Sequence, residues 1–125
     1  MNRKMLKKWN RQLGDQAESL AATFLLKKGL KILRRNLRTK LGEIDILAKD
    51  KDTLVVVEVK AKTDSHQGQA IEMINHAKQR KLILLAFEMQ KRFKTTAVRI
   101  DAVTVDEWSD QPKIRHLRSA VELNA

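Results

Sequence analysis

Three ionisable residues interrupt two segments of otherwise apolar sequence. Asp45 lies between isoleucines in residues 43–49 (EIDILAK), and Glu58 and Lys60 lie in the valine-rich residues 53–60 (TLVVVEVK). Burying such charges costs free energy unless each one is paired or bound to a metal ion. Their positions are therefore more typical of a functional site than of an ordinary sheet interior.

The spacing of these acids predicts that they meet. Both segments are predicted strands, and the KDKD sequence between them predicts a hairpin. If Lys51 and Asp52 form a two-residue loop, Asp45 lies directly opposite Glu58, with Cβ atoms about 4.5–5.5 Å apart. Two carboxylates this close repel by roughly 3 kcal/mol at an effective dielectric constant of about 20. A cation such as Mg²⁺ or Mn²⁺ would turn that repulsion into attraction. A shift of register by one residue would move Asp45 to the other face.

Lys60 is predicted to share a face with Glu58, because side chains two residues apart in a strand point the same way. There it could orient a water molecule or stabilise the charge that develops on a phosphate under attack. An ordinary ion pair between Lys60 and either acid, on a half-exposed sheet face, is the alternative. Alternation also places Ile44 and Ile46 on one face, opposite Asp45.

The charge of the chain points to a polyanionic partner. The 125 residues include 26 Lys and Arg but only 15 Asp and Glu, for a net charge of +11. Most of the basic residues fall in three windows, at residues 1–12, 27–40 and 78–94. Such a surplus favours nucleic acid over an anionic membrane surface. Aromatic residues make up only 4% of the chain, which disfavours a platform for stacked bases and favours contacts to the phosphate backbone.

Other classes of protein are disfavoured by what the sequence lacks. The absence of cysteine excludes disulfides, zinc thiolates and cysteine nucleophiles, and it fits a reducing, cytoplasmic location. No apolar run approaches the roughly 18 residues of a membrane span, and no secretory signal is recognisable. Walker, dinucleotide-binding and serine-hydrolase glycine motifs are missing.

The remaining periodicities predict one α/β domain over residues 1–125, with a basic N-terminal arm at 1–12 and a core at 13–121. The predicted order is α-β-β-β-α-β, with a short final strand after Pro112. Besides the hairpin, the predicted elements are a helix at 13–29, an edge strand at 32–38, a polar loop at 61–70, a helix from the N-cap Asn75 to Phe93 and a strand at 97–105.

Several polar residues are placed by the same periodicities. Helical spacing puts Glu18 at the flank of the first helix's apolar stripe, which favours exposure to solvent. Lys78 and Gln79 fall in the first turn of the long helix, where donors suit a phosphate, although they could equally be ordinary polar residues. Arg99 and Asp101 are predicted to form a surface ion pair. The three histidines are predicted to lie on the surface or in loops: His66, His76 and His116.

A series of short motifs resembles the bacterial YraN-like family, in order, over about residues 13–121. The motifs are GDQAE (14–18), RRNLR (34–38), GEID (42–45), LVVVEVK (54–60), KQRKL (78–82) and RIDAV (99–103). That family is assigned to the PD-(D/E)XK nuclease superfamily, which has a restriction-endonuclease-like fold, and is similar to archaeal Holliday-junction resolvases. The resemblance therefore implies this fold and a mixed sheet flanked by helices.

The resemblance also implies roles for individual residues. Asp45 and Glu58 would bind Mg²⁺ or Mn²⁺, Lys60 would be the catalytic lysine, and Glu18 would complete the site as an acid carried by a helix. Gln79 would lie near this site. Ile44 stands where the superfamily name has proline, and Ala61-Lys62 stands where Thr-Arg is usual. These departures affect packing and substrate contacts and leave every implied catalytic group in place.

The sequence thus predicts a metal-dependent endonuclease that acts on DNA, with branched or structured DNA as one option. A nucleic-acid-binding protein that keeps the fold without catalysis is the alternative, and a scaffold protein is a weaker third. Cleavage of a junction would require two sites, so a homodimer is one expectation. The residues expected to bind nucleic acid are Lys78, Gln79, Arg34, Arg35, Arg38, Lys40 and Lys62.

Overall fold

Two helices and five strands form the structure, a computed structural model that describes residues 2–62, 74–106 and 111–123. In chain order the elements are α1 (Arg3–Lys27), β1 (Lys31–Thr39), β2 (Gly42–Asp50), β3 (Thr53–Lys62), α2 (His76–Phe93), β4 (Val98–Asp106) and β5 (Lys113–Val121). No helix in these ranges is long and apolar enough to cross a membrane.

The five strands form one mixed sheet in the order β1-β2-β3-β4-β5. Neighbouring strands are antiparallel except β3 and β4, which are parallel and have α2 in the connection between them. This topology confirms the predicted α/β class and the α-β-β-β-α-β order, and it matches the restriction-endonuclease-like core that the resemblance implies. The last strand is longer than predicted, since it extends to Val121.

Each face of the sheet carries its own apolar core. The valine-rich β3 is buried on both faces, which explains its nearly continuous apolar sequence. Val55 and Val57 pack with α1, whereas Leu54 and Val56 pack with α2. The alternation along β3 therefore fixes which helix each of its side chains faces, including the side chains of the candidate site.

The helix termini differ in how well the sequence located them. Asn75 caps α2 as predicted, since its Oδ1 accepts a hydrogen bond of 2.8 Å from the amide of Lys78. By contrast, α1 begins at Arg3, so most of the predicted N-terminal arm is helical. Asn2 caps that terminus with a 2.8 Å bond from the Met5 amide, and the basic residues that follow are good helix formers. Residues 63–70 of the predicted polar loop lie outside the described residues.

A buried polar network joins β4 to β5. The carboxylate of Asp101 is fully buried, accepts two hydrogen bonds of 3.0 and 3.2 Å from Arg99 Nε and lies 2.7 Å from His116 Nε2. The amide of Ser119 donates to it at 3.0 Å, and Arg99 also pairs with Asp50 at 2.9 Å. Burial alone would raise the pKa of Asp101, but the bonds from His116, Arg99 and Ser119 hold it below its usual range.

Two predictions about this region are wrong. The Arg99–Asp101 pair exists, but it is buried rather than on the surface, and the side chain of His116 is only 2% exposed. The reason is the pairing of β5 with β4, which sets His116 beside Val103 on the α1 face of the sheet. His76 is exposed as predicted, and His66 lies outside the described residues.

We expect Asp101→Asn to lower the free energy of unfolding by about 3–5 kcal/mol, because it removes the charge that Arg99 and His116 both contact in a buried position. Urea denaturation at neutral pH measures this change. Asp52→Asn, at an exposed acid in the β2–β3 loop, should stay within about 0.5 kcal/mol of the unaltered protein. A loss below about 1 kcal/mol in Asp101→Asn would show that the network contributes little.

Candidate functional site

Asp45 lies at the point where β2 and β3 separate. Their pairing runs from Asp50–Thr53 to Ile46–Val57, which is the register that a two-residue loop requires. One further step would set Asp45 opposite Glu58, but the amide of Val59 instead donates to Asp45 Oδ2 at 2.8 Å. From Glu58 onward the described pairing of β3 is with β4 alone. The two strands thus form a fork with both acids at its apex.

The strand alternation changes at the same point, so the prediction that Ile44 and Ile46 share a face is wrong. Ile44 packs in the core beneath α2, whereas Ile46 packs in the core beneath α1. Across from Asp45, Asn36 of β1 has a φ of 52°, a left-handed conformation that is uncommon within a strand. A backbone rotation in both strands at one level explains why Asp45 can reach groups from both layers.

Glu18 reaches this apex from α1. Its side chain is 9% exposed and shares a hydrogen bond with Asp45. In its hydrogen-bonded orientation the Asn36 amide donates to both oxygens of Glu18, at 2.9 and 3.0 Å. The prediction from helical periodicity that Glu18 is exposed to solvent is therefore wrong. Ala17 and Ala21 are small and buried, so α1 lies close to the sheet and residues at the flank of its stripe are covered as well.

Glu58 faces the α2 side of the sheet. It is 4% exposed, and its Oε2 lies 3.6 Å from Nζ of Lys78 in the first turn of α2. Lys60 is half-buried, two residues further along the same strand, and its positive charge also acts on the Glu58 carboxyl. The structure thus brings Asp45 into electrostatic contact with both Glu18 and Glu58, and Glu58 into contact with Lys60.

Burial raises the pKa of all three carboxyls. The pKa of Glu18 rises to about 7 because of burial and the neighbouring Asp45 charge. The pKa of Glu58 also rises to about 7, for the same two reasons and against the opposing effect of Lys78 and Lys60. Burial raises the pKa of Asp45 as well, although the Val59 amide favours its charged form. Full ionisation of the cluster at neutral pH therefore requires added positive charge.

The donors at the apex suit Mg²⁺ or Mn²⁺ only in part. Within the described ranges, no group of three or more Asp, Glu or His side chains is arranged to hold a metal ion as it stands. Mg²⁺ is commonly bound through one or two carboxylates and keeps several waters. Asp45 and Glu58 fit that requirement, whereas Glu18 contacts the apex through Asp45.

The residues predicted to bind nucleic acid divide into two groups. Three of them have protein partners: Lys78 pairs with Glu58, Gln79 Nε2 donates to the Ile74 carbonyl at 2.8 Å, and Arg35 donates to Ser19 Oγ at 3.1 Å. Arg34, Arg38 and Lys40 are exposed along β1 and the turn after it, and Lys62 ends β3.

Asn36 is the residue of this region that the sequence did not single out as functional. Its signal is chemical: asparagine adopts a left-handed conformation more readily than most residues, and here it stands in a predicted strand beside arginines. Its amide links Glu18 to the apex and also lies 3.3 Å from Glu43 Oε1.

The arrangement can be compared with known proteins. Residues 17–105 match the sequence model described as "Uncharacterised protein family UPF0102". The chain belongs to the UPF0102 family. This confirms the resemblance to YraN-like proteins. A UPF0102 protein of Geobacter metallireducens is 38% identical over 116 residues, which cover 91% of this chain and 95% of that protein.

Further UPF0102 relatives are found in two other organisms. The protein of Vibrio parahaemolyticus is 40% identical over 78% of this chain and 83% of its own length, and that of Clostridioides difficile is 35% identical over 89% and 97%. Among solved structures, SfsA of Pyrococcus furiosus in complex with Ca²⁺ superposes with a TM-score of 0.45 and 16% identity. The superposition covers 90% of this UPF0102 chain and 65% of SfsA.

We expect the protein to lose thermal stability between pH 5 and pH 8. The folded pKa of Glu18 and Glu58 lies near 7, above the ordinary 4.5, so their stabilising contribution is complete below about 4.5 and is lost as the pH rises through about 7. The melting temperature should fall by on the order of 5 °C over this interval.

Differential scanning fluorimetry across this pH range, in a buffer that contains a metal chelator, measures the change. Glu58→Gln should flatten the profile, because the amide carries no charge at any of these pH values. Glu122→Gln, at an exposed acid outside the cluster, should leave the profile unchanged. A stability that rises with pH, or an unaltered profile in Glu58→Gln, would contradict the raised pKa values.

Proposed function

We propose that this protein is a metal-dependent endonuclease that hydrolyses DNA phosphodiester bonds. The observation that carries the proposal is the pair of buried carboxylates, Asp45 and Glu58, at the apex of the β2–β3 fork with Lys60 on the same side of β3 as Glu58. A protein of net charge +11 that only bound phosphates would gain no affinity from buried acids beside them. The lack of cysteine and the nucleic-acid substrate fit a cytoplasmic location.

Asp45 and Glu58 would hold Mg²⁺ or Mn²⁺, which when bound would polarise a phosphoryl oxygen and make water a better nucleophile. The Val59 amide fixes Oδ2 of Asp45 and thereby orients the carboxylate that would act as a ligand. Glu18, with a pKa near 7, can hold a proton on the side of Asp45 that faces α1.

Lys60 would act on the scissile phosphate. Its ammonium group stands beside Glu58 on the stretch of β3 that β2 leaves uncovered. There it can donate a hydrogen bond to the attacking water and stabilise the negative charge that builds up on the phosphoryl oxygens. Lys78 supplies a second positive charge at the same carboxylate.

The exposed cations of β1 would hold the DNA backbone. Arg34 and Arg38 of the edge strand, and Lys40 in the turn after it, are exposed next to the fork. Contacts of this kind hold phosphates without reading base sequence. The resemblance to Holliday-junction resolvases makes branched DNA the first substrate to test, and a homodimer would supply the two sites that a junction needs.

Incubation of labelled branched and linear DNA with the protein and Mn²⁺ tests the proposal. We expect cleavage, and we expect Glu58→Ala and Lys60→Met each to reduce its rate by about 100-fold or more, because each removes a group that acts on the transition state. Glu122→Gln should cleave at the unaltered rate. The proposal fails if the unaltered protein does not cleave any DNA tested, or if Glu58→Ala cleaves equally well.

One observation favours the non-catalytic alternative. Glu58 is already paired with Lys78, and Asp45 already shares a hydrogen bond with Glu18, so the cluster is partly compensated by the chain itself. In that case the fold would bind nucleic acid through its basic surface, and the acids would serve to hold β2, β3 and both helices together.

Salt titration of DNA affinity measures the binding that both functions require. We expect the logarithm of the affinity to fall by roughly 0.9 per unit of log salt for each phosphate contacted, and Arg38→Gln to reduce the slope by about that amount. Lys113→Gln, at an exposed cation on the opposite edge strand, should leave the slope unchanged.

If affinity survives EDTA and Glu58→Ala while cleavage is absent, the non-catalytic function is supported. If the salt dependence of affinity is unaltered in Arg38→Gln, β1 is not part of the DNA-binding surface.

A further inference from the structure

An exposed apolar surface lies on the side of α2 that faces away from the sheet. Leu84 is 53% exposed and Phe87 is 43% exposed, one helical turn apart. Leu41, in the turn between β1 and β2, is also 43% exposed. All three side chains line one cavity of about 430 Å³. We call this surface, made of Leu41, Leu84 and Phe87, the α2 groove. Large apolar side chains clustered in this way are more typical of an interaction site than single exposed ones.

Cations surround the α2 groove. Lys91 lines the first cavity, and an adjoining cavity of about 740 Å³, which shares Leu41 and Glu88 with it, is lined by Arg38, Lys40 and Arg92. The apolar floor is thus flanked by four positively charged side chains.

Glu88 is the one acid that lines either cavity in the described part of the chain. Its Oε1 is held by Arg92 at 3.0 Å, so its charge is compensated locally. Its Oε2 is buried and accepts no hydrogen bond from the described residues. Because the Glu88 charge is compensated by Arg92, the acids of an occupant could meet the surrounding cations without strong repulsion from this carboxylate.

The combination of apolar floor and basic rim selects among possible occupants. A DNA backbone would use the cations but would gain nothing from exposed leucine and phenylalanine side chains. In a symmetric contact with a second copy of this chain, the basic rims of the two grooves would face each other, which is unfavourable. An acidic segment with large apolar side chains matches both features.

We propose that the α2 groove docks a short, acidic amphipathic segment of another protein. Two apolar side chains of that segment would cover Leu84, Phe87 and Leu41, and its carboxylates would pair with Lys91 and Arg92. The groove does not involve the carboxylate cluster. Phe87 is nine residues beyond Lys78, which corresponds to roughly 14 Å along the helix axis, so a docked partner would leave the fork open. Arg38 and Lys40 at the rim are also assigned to the DNA backbone, whereas Leu84, Phe87 and Lys91 are not, so the groove would recruit the protein to a partner beside its DNA-binding surface.

The probe is a fluorescein-labelled peptide of about twelve residues, with two phenylalanines among aspartates and glutamates. We measure its anisotropy with the full chain at about 0.15 M salt, where exposed long-range attraction is largely screened. We expect binding that weakens about tenfold or more when serine replaces both phenylalanines of the peptide, a difference of about 1.4 kcal/mol. Phe87→Gln and Lys91→Glu should each weaken binding of the original peptide by a similar factor.

Leu26→Gln is the matched control, because Leu26 is 55% exposed on α1, away from the groove. It should bind the peptide as the unaltered protein does. Leu84→Gln repeats the test should Phe87→Gln fold poorly, which the melting temperature reveals.

Three results would overturn the proposal. Equal affinity for the phenylalanine and serine peptides would mean that only charge is recognised. A dimer of the unaltered protein that dissociates in Phe87→Gln, seen by sedimentation, would make the groove a contact between two copies. A loss of DNA affinity in Phe87→Gln as large as the loss of peptide affinity would make it part of the nucleic-acid surface.

Discussion

The separation of β2 from β3 after the Ile46–Val57 pair is the constraint on which the site depends. A sheet whose strands stayed paired would use the Val59 amide in its ladder, and Asp45 would have no backbone donor. The hydrogen bond from Val59 to Asp45 replaces the missing ladder bond and satisfies a polar group that would otherwise be costly to bury. The same gap allows Glu18, from the layer of α1, and Glu58, which faces α2, to act on one carboxylate.

The burial of apolar side chains in the two cores offsets the free-energy cost of burying the three carboxyls. Three carboxyls with raised pKa values are a local cost, and the residues that bury them are the apolar side chains around β3. Functional sites often retain groups that would be unfavourable elsewhere, because the surrounding structure overdetermines their position. Here the three carboxyls are held in position by a strand that is covered on both faces and by two helices that reach the fork from opposite sides.

Local sequence signals predicted the elements of this fold well. The Lys51-Asp52 loop fixed the hairpin register, and Asn75 located the start of α2. Contacts between distant parts of the chain were harder to predict. The burial of Glu18 depends on how closely Ala17 and Ala21 allow α1 to approach the sheet.

The inward side chain of His116 depends on the pairing of β5 with β4, and the change of face between Ile44 and Ile46 occurs where the neighbouring strand carries the left-handed Asn36. Periodicity describes one element at a time, so it could not predict these two features or the burial of Glu18. The family resemblance, which reflects the whole fold, implied Glu18 as an acid that completes the site, and in the structure Glu18 shares a hydrogen bond with Asp45.

The position of β1 at the edge of the sheet has a consequence for the behaviour of the protein in solution. An uncovered edge strand can pair with the edge of another molecule and begin aggregation. β1 carries features that oppose this: exposed Arg34 and Arg38, an irregular register between Ile32 and Arg34, and the left-handed Asn36. The arginines that we propose to contact the DNA backbone would therefore also oppose edge-to-edge pairing, so both effects would depend on the same side chains.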